Sequence, residues 1–377
     1  MSIPFIDLKS QYKALKNSID SRIQKVLESG AYINGPEVAE LETKLAAHTG
    51  SKHCLAVASG TDALLLPLMA LNIGRGDEVI TTAFSFIATA ETIVLSGATP
   101  IYVDIDPKTF NIDVKKIEAA ITKKTKAIMP VSLYGQPCDL DAINELAKKH
   151  NLFVIEDTAQ SYGAGYKTKK SGACTTAAGT SFYPAKPLGC YGDGGAVFTN
   201  DTRLHNAMKE IKEHGSEKRY FHTRLGINGR LDTIQCAILL SKMERYDWEV
   251  EQRNKIADAF SNGLKNLNQV DKSFSTPFIE THNKSVWAQY TVTVTNRDLF
   301  QKKMQELGVP TTVHYPLTMP DQPWYQKNTP VPADITNSRW AASHVISLPM
   351  YPDMDPTTQQ KIIDAVRTSV EFSVKNS

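Results

Sequence analysis

Three short stretches of this 377-residue chain carry residue types that could do chemistry together: a lysine among prolines and glycines, a carboxylate behind an apolar run, and a small polar turn before a helical one. The lysine is Lys186, within S-F-Y-P-A-K-P-L-G-C-Y-G-D-G-G-A at 181–196. Pro184 and Pro187 stiffen the backbone around it, while Gly189, Gly192, Gly194 and Gly195 let chain or ligand come close. A lysine held still and desolvated gives up its proton more readily, and the free amine can form a Schiff base with a carbonyl. The other reading is a surface loop with a chance lysine, and the local sequence does not choose between them.

The carboxylate is Asp157, in E-D-T-A-Q at 156–160, directly after the apolar run L-F-V-I at 152–155. At the end of a strand it either caps a helix or serves as counter-ion to a buried cation, such as a protonated ring nitrogen. The turn is Ser59-Gly60-Thr61-Asp62, between a strand expected at 54–58 and a helix expected at 63–72. Free N–H groups and a helix dipole suit a phosphate there. An ordinary N-cap by Ser59 or Thr61 is the alternative.

These stretches need a scaffold, and the hydrophobic pattern supplies one. Helices expected at 8–27 and 37–48, joined by a turn at 30–36, come first. Strands at 78–82, 100–104, 127–132 and 152–155 then alternate with helices at 87–95, 113–121 and 140–150. Repeated units of this kind predict a mostly parallel sheet sandwiched by helices, with ligands beyond the carboxyl ends of its strands. Strands at 179–182 and 196–199 flank the lysine loop, and helices follow at 203–214, 233–243 and 247–264. A strand at 288–294, a helix at 297–307, a strand at 311–314 and a helix at 357–371 read as a smaller α+β domain. The expected division is therefore a large domain, 1–260, and a small one, 261–377, with the boundary near Ser261.

Composition removes other classes. With 41% hydrophobic residues the chain can bury a large core, and a net charge of +2 gives no basic field for nucleic acid. The start, M-S-I-P-F-I-D-L-K-S, lacks the apolar stretch of a signal peptide, and no run reaches membrane-spanning length, so a cytoplasmic protein off the membrane is expected. Five cysteines show neither a C-x-x-C pair nor zinc spacing, and the nine histidines form no H-E-x-x-H, so reduced thiols and no metal are expected. A G-x-G-x-x-G turn after the first strand is absent, which argues against a nucleotide-dependent oxidoreductase.

One cofactor asks for an N–H cradle, an anion and a primary amine at once: pyridoxal 5'-phosphate, through its phosphate, ring nitrogen and aldehyde. On this reading Asp157 keeps the ring nitrogen protonated, Phe84 stacks on the ring, and Ser181 offers its hydroxyl to the phosphate while Lys186 reaches the aldehyde.

The chain also resembles the DegT/DnrJ/EryC1/StrS sugar aminotransferases, enzymes of the aspartate aminotransferase fold (fold type I). The likeness runs nearly end to end, through P-F-I-D-L at Pro4, A-S-G-T-D-A-L at Ala58, G-D-E-V-I-T at Gly76, E-D-T-A-Q at Glu156, S-F-Y-P-A-K-P-L-G at Ser181, G-I-N-G-R-L-D at Gly226 and V-H-Y-P at Val313. The resemblance implies Lys186 as the Schiff-base lysine, Asp157 on the pyridine nitrogen, Gln160 near the ring hydroxyl, and Gly60, Thr61 and Ser181 on the phosphate. It further implies that Asn228 reaches the cofactor of a neighbouring subunit in a homodimer, and that glutamate donates the amine to a keto sugar nucleotide. Thr158 and Pro187 stand where many relatives have alanine and asparagine, and neither change removes a functional atom. The related sugar 3-dehydratases carry histidine in place of the lysine, so Lys186 argues against them.

The stretches around Arg230, the lysine loop and T-V-H-Y-P look most like enzymes acting on UDP-2-acetamido-2-deoxy-3-oxo-glucuronate in bacterial surface polysaccharide (O-antigen) synthesis. A uronate brings a carboxylate, for which a guanidinium is the best partner. Arg230 is the expected partner, with His314 and Tyr315 bordering the sugar. Arg230 serving the donor's carboxylate or the fold, a 4-keto-6-deoxyhexose nucleotide as the substrate, and a non-catalytic regulator on the same fold are the alternatives. His222, Arg224 and Tyr183 are further candidates, and Cys190 is expected to pack as a small apolar residue.

Overall fold

The computed structural model describes residues 3–376; Met1 and Ser2 of the N-terminal stretch read above lie outside the described residues, as does Ser377. Helices α1 (Leu8–Ser29) and α2 (Pro36–Thr49) come first. Each ends on a left-handed glycine, Gly30 and Gly50, and α2 begins on a proline at its first turn. The chain then alternates: β1 (His53–Val57), α3 (Gly60–Ala70), β2 (Glu78–Thr82), α4 (Ala88–Leu95), β3 (Thr99–Val103), α5 (Val114–Ile117), β4 (Thr125–Met129), α6 (Leu140–His150) and β5 (Phe153–Asp157). A short hairpin of β6 (Gly165–Tyr166) and β7 (Lys169–Lys170) leads to β8 (Ala177–Ser181), β9 (Gly195–Thr199) and α7 (Thr202–Lys212). A second hairpin, β10 (Ser216–Lys218) and β11 (Phe221–His222), precedes α8 (Thr233–Gly263). Then come β12 (Asn283–Lys284), β13 (Tyr290–Thr293), α9 (Arg297–Glu306), α10 (Pro323–Asn328), α11 (Thr336–His344), β14 (Val345–Leu348) and α12 (Pro356–Lys375).

The main sheet has seven strands in the order β1-β9-β8-β5-β4-β2-β3. From β8 to β3 every neighbouring pair is parallel, and β9 alone is antiparallel, to both β1 and β8. Alternate residues of β1 enter different layers, as a strand buried on both faces requires. Cys54 and Ala56 pack with α2 and α8, through Leu41, Leu45 and Leu239. Leu55 and Val57 pack with α3 and α7, through Leu66, Leu204 and Met208. A further cluster gathers Phe260, Tyr290, Val292, Phe300, Ile346 and Val366 around β13, β14 and α12.

Several local expectations change. The helices expected at 233–243 and 247–264 are one, α8, of 31 residues and about 46 Å. The joint holds Glu244, Arg245 and Tyr246, with no glycine or proline to break it, and the Tyr246 hydroxyl anchors it on the Tyr162 carbonyl at 2.5 Å. The strand expected at 311–314 is a single bridge between Thr312 and Ser347, because Pro310 and Pro316 bracket it and neither can donate to a ladder. The strand that pairs with β13 is instead β14. Finally, β5 runs on through Asp157, so Glu156 and Asp157 occupy its last two positions and point to opposite faces.

Candidate active site

Asp157 closes β5 and is 5% exposed. Its two oxygens are held separately: the Thr89 hydroxyl donates to Oδ2 at 2.8 Å, and the Ala159 N–H donates to Oδ1 at 3.0 Å. Burial raises the carboxyl's pKa above the usual range, and these two bonds and the charge of Lys186 pull against it. Lys186 lies in the loop between β8 and β9, its N–H on the Tyr183 carbonyl at 2.8 Å. Burial lowers its ammonium pKa, and Asp157 opposes that shift. The charge of each thus acts on the other.

Two further groups join them. The His314 imidazole is driven down to about 4, first by burial and then by the charge of Lys186, so it is neutral at ordinary pH. Its Nδ1 lies 2.9 Å from Ser347 Oγ, which is 2.8 Å from Thr291 Oγ1. Burial, then Asp157, pushes the Tyr315 phenol up. Its oxygen accepts from Gln160 Nε2 at 3.1 Å, while Gln160 Oε1 accepts the Tyr134 N–H at 2.8 Å. Both ends of the Gln160 amide are therefore fixed.

Beside this group, the antiparallel run of β9 places its first residue with the last residues of β1 and β8: Gly195 pairs with Val57 on one side and Ser181 on the other. A Cβ on Gly195 would stand 2.4 Å from the Ser59 carbonyl oxygen, and one on Gly60 would stand 2.6 Å from Ser181 Cβ. Two glycines thus let three chain segments converge. Ser59 caps α3 by accepting the Asp62 N–H at 3.0 Å, and the helix begins at Gly60, three residues ahead of expectation. Gly60 and Thr61 sit in its first turn, where amides have no acceptor within the helix. This cradle suits a phosphate, Asp157 suits a protonated ring nitrogen and Lys186 suits an aldehyde, so the residues present fit pyridoxal 5'-phosphate.

Not every expected residue reaches this place. Phe84 is fully buried, packed with Ile105, Val131 and Leu133, and has no free face for a ring to stack on. The expectation for it is corrected: Phe86, 54% exposed and 5.9 Å from the Tyr315 ring, is the aromatic open to the cleft. Sequence reasoning also missed Thr89; a hydroxyl in the first turns of a helix following β2 was the available signal. Arg230 bridges to Val57, and its Nη1 donates to Glu213 at 3.1 Å, so its guanidinium is partly taken up within the chain. Its Nε is buried with no partner among the described residues. Asn228 is exposed one turn of chain away, at the bridge to Glu213. His222 and Arg224 are exposed and engage the His214 carbonyl and Glu210. Tyr183 is 55% exposed, and Cys190 is fully buried with Sγ 3.1 Å from the Phe182 carbonyl oxygen.

A mostly parallel sheet with a lysine, an aspartate and a phosphate cradle at its carboxyl end defines a fold type I pyridoxal phosphate enzyme. The chain belongs to the DegT/DnrJ/EryC1/StrS aminotransferase family, which it matches over residues 13–367, and is a pyridoxal phosphate-dependent sugar aminotransferase. It is 52% identical over 367 residues to the UDP-2-acetamido-2-deoxy-3-oxo-D-glucuronate aminotransferase of Pseudomonas aeruginosa, covering 97% of this chain and 100% of that one. It is 43% identical to a pleiotropic regulatory protein of Geobacillus stearothermophilus, covering 97% of this chain and 98% of the other. Among solved structures, S. venezuelae DesV in complex with a ketimine intermediate superposes with a TM-score of 0.95 at 37% identity, covering 98% of this chain and 99% of that one. Among the described residues, no helix is long and apolar enough to cross a membrane.

The Gly60–Ser181 contact makes a prediction. Gly60→Ala should push the first turn of α3 off Ser181 and weaken pyridoxal phosphate binding by about 1–3 kcal/mol, read by titrating the apoprotein. Unchanged affinity would mean that the phosphate lies elsewhere.

Proposed function

We propose that the protein moves the amino group of L-glutamate to C3 of UDP-2-acetamido-2-deoxy-3-oxo-D-glucuronate, in the cytoplasm of a bacterium building surface polysaccharide such as O-antigen. The observation that carries this reading is the likeness to the Pseudomonas aeruginosa enzyme over nearly the whole of both chains. Five free cysteines agree with a reducing compartment.

Bound pyridoxal phosphate supplies an electron sink for breaking a C–H bond beside nitrogen. Asp157 would hold the proton on the cofactor's ring nitrogen, Gln160 would stand near its ring hydroxyl, and Gly60, Thr61 and Ser181 would hold its phosphate. Lys186 Nζ removes the proton from glutamate Cα in the first half reaction and delivers one to sugar C3 in the second. Glutamate leaves as 2-oxoglutarate, and the sugar keeps the amine. Neutral His314, oriented by Ser347, and Tyr315 border the sugar.

For the uronate carboxylate Arg230 stays the candidate, because a buried Nε–H without an acceptor invites one. The relative named as a pleiotropic regulatory protein raises a non-catalytic reading, which the presence of Lys186 and Asp157, each acting on the other's charge, opposes. A side-by-side assay with glutamate decides the sugar: the 3-oxo uronate should be aminated faster than a 4-keto-6-deoxyhexose nucleotide. Arg230→Lys should slow the uronate more than the 6-deoxy sugar. Faster amination of the 6-deoxy sugar by the native enzyme would overturn the assignment, and an equal loss with both sugars would move Arg230 to the donor.

The working unit in this proposal is a homodimer, with Asn228 reaching the neighbour's cofactor. Tyr220 at 81% exposure and Leu225 at 85%, in the same segment as Asn228, support it as apolar surface that a second copy would cover. Mixing inactive Lys186→Ala protein with Asn228→Ala protein should restore activity, since one site of each heterodimer then has both residues intact. Heterodimers that form without recovery would assign Asn228 to its own subunit.

A further inference from the structure

The lysine loop is gripped from beneath by α8. Gln235 and Lys242 are seven residues apart, two turns, and so share one face of that helix. Gln235 takes both backbone groups of Tyr191: its Oε1 accepts the Tyr191 N–H at 2.8 Å, and its Nε2 donates to the Tyr191 carbonyl at 3.3 Å. Lys242, 2% exposed, donates from Nζ to the Gly189 carbonyl at 2.5 Å and lies over the Tyr191 ring at 4.3 Å. An ammonium withdrawn from water is a costly way to make one hydrogen bond, and burial drives its pKa down to about 8.

What the grip achieves is visible in the loop itself. A Cβ on Gly189 would stand 2.6 Å from the carbonyl oxygens of both Tyr183 and Pro184, so the loop doubles back until Gly189 rests on them. The Tyr183 carbonyl is also the acceptor of the Lys186 N–H. Cys190 N–H, next in the chain, donates to the Phe182 carbonyl at 2.8 Å. Fixing Gly189 and Tyr191 therefore fixes the backbone from which Lys186 extends.

We propose that Gln235 and Lys242 form a two-point clamp, and that both are positioning residues that hold Lys186 in register with Asp157. The inference rests on Lys186 being the reacting amine. A displaced amine loses rate more than affinity, because the binding contacts lie elsewhere.

The test uses Lys242→Met and Gln235→Leu, each close in volume to the residue it replaces. In the apoprotein, hydrogen exchange at the amides of 182–191 should quicken in both variants, while β4 and β5 keep their protection. The denaturation midpoint of Lys242→Met should fall only slightly, by the loss of one hydrogen bond to the Gly189 carbonyl. In the loaded enzyme, kcat with glutamate should fall about ten- to a hundredfold with KM roughly unchanged. Native exchange in the loop, or faster exchange spread evenly over the molecule with a much lower midpoint, would overturn the clamp. If either variant does not fold, the other carries both readouts. Multiple turnover by Lys186→Ala would instead overturn the reading beneath, since apoprotein exchange does not involve the reacting amine.

Discussion

Asp157 lies buried at the carboxyl end of the sheet and Lys186 on the loop that follows β8, and each is driven toward its neutral form by burial and back toward its charged form by the other. Burial disfavours the charge of each. That balance is what makes the site reactive. Without the Ala159 N–H, the Thr89 hydroxyl and the charge of the lysine, burial alone would push the aspartate further toward its protonated form. Every other feature of the site sets the separation or surroundings of this pair: Thr89 and the Ala159 N–H pin the two carboxylate oxygens, and the loop folded against α8 sets where the lysine starts.

The sheet's one antiparallel strand has a matching consequence. Because β9 reverses direction between β1 and β8, the loop carrying Lys186 leaves β8 at the carboxyl end and re-enters at the same edge, next to Ser59 and Gly60. Amine and phosphate cradle are brought together by strand direction. A fully parallel arrangement would return β9 at the far end of the sheet. The glycines at 60 and 195 then remove the two Cβ atoms that would hold these segments apart.

Much of this was legible in the chain. Alternation of apolar runs foretold the parallel sheet because that signal is local, whereas the prolines and glycines around Lys186 allowed a constrained lysine without choosing it over a chance one. What stayed hidden depended on contacts between distant residues or on where an element stops. Phe84 and Phe86 look alike in the sequence, but the chain beyond β2 takes Phe84 into the core and leaves Phe86 exposed, a difference of two positions that no local pattern shows. The partner of Arg230 within the chain, Glu213, lies 17 residues away and gave no local signal. The four residues of β14 were too short to announce a strand, and the single α8 was divided where nothing breaks it. The clamp by Gln235 and Lys242 reaches across 44 and 53 residues of chain and left no local trace.

The opposition of Asp157 and Lys186 can be measured directly in the apoprotein, by following the titration of the Lys186 ε-carbon in isotopically labelled protein and in its Asp157→Asn variant. The Lys186 pKa should lie below the ordinary lysine value of about 10.4 in the native protein, because burial outweighs the aspartate. It should fall further in the variant, because the one charge that favours the ammonium is gone. A lysine titrating at its ordinary value, or one that Asp157→Asn leaves unmoved, would contradict the account.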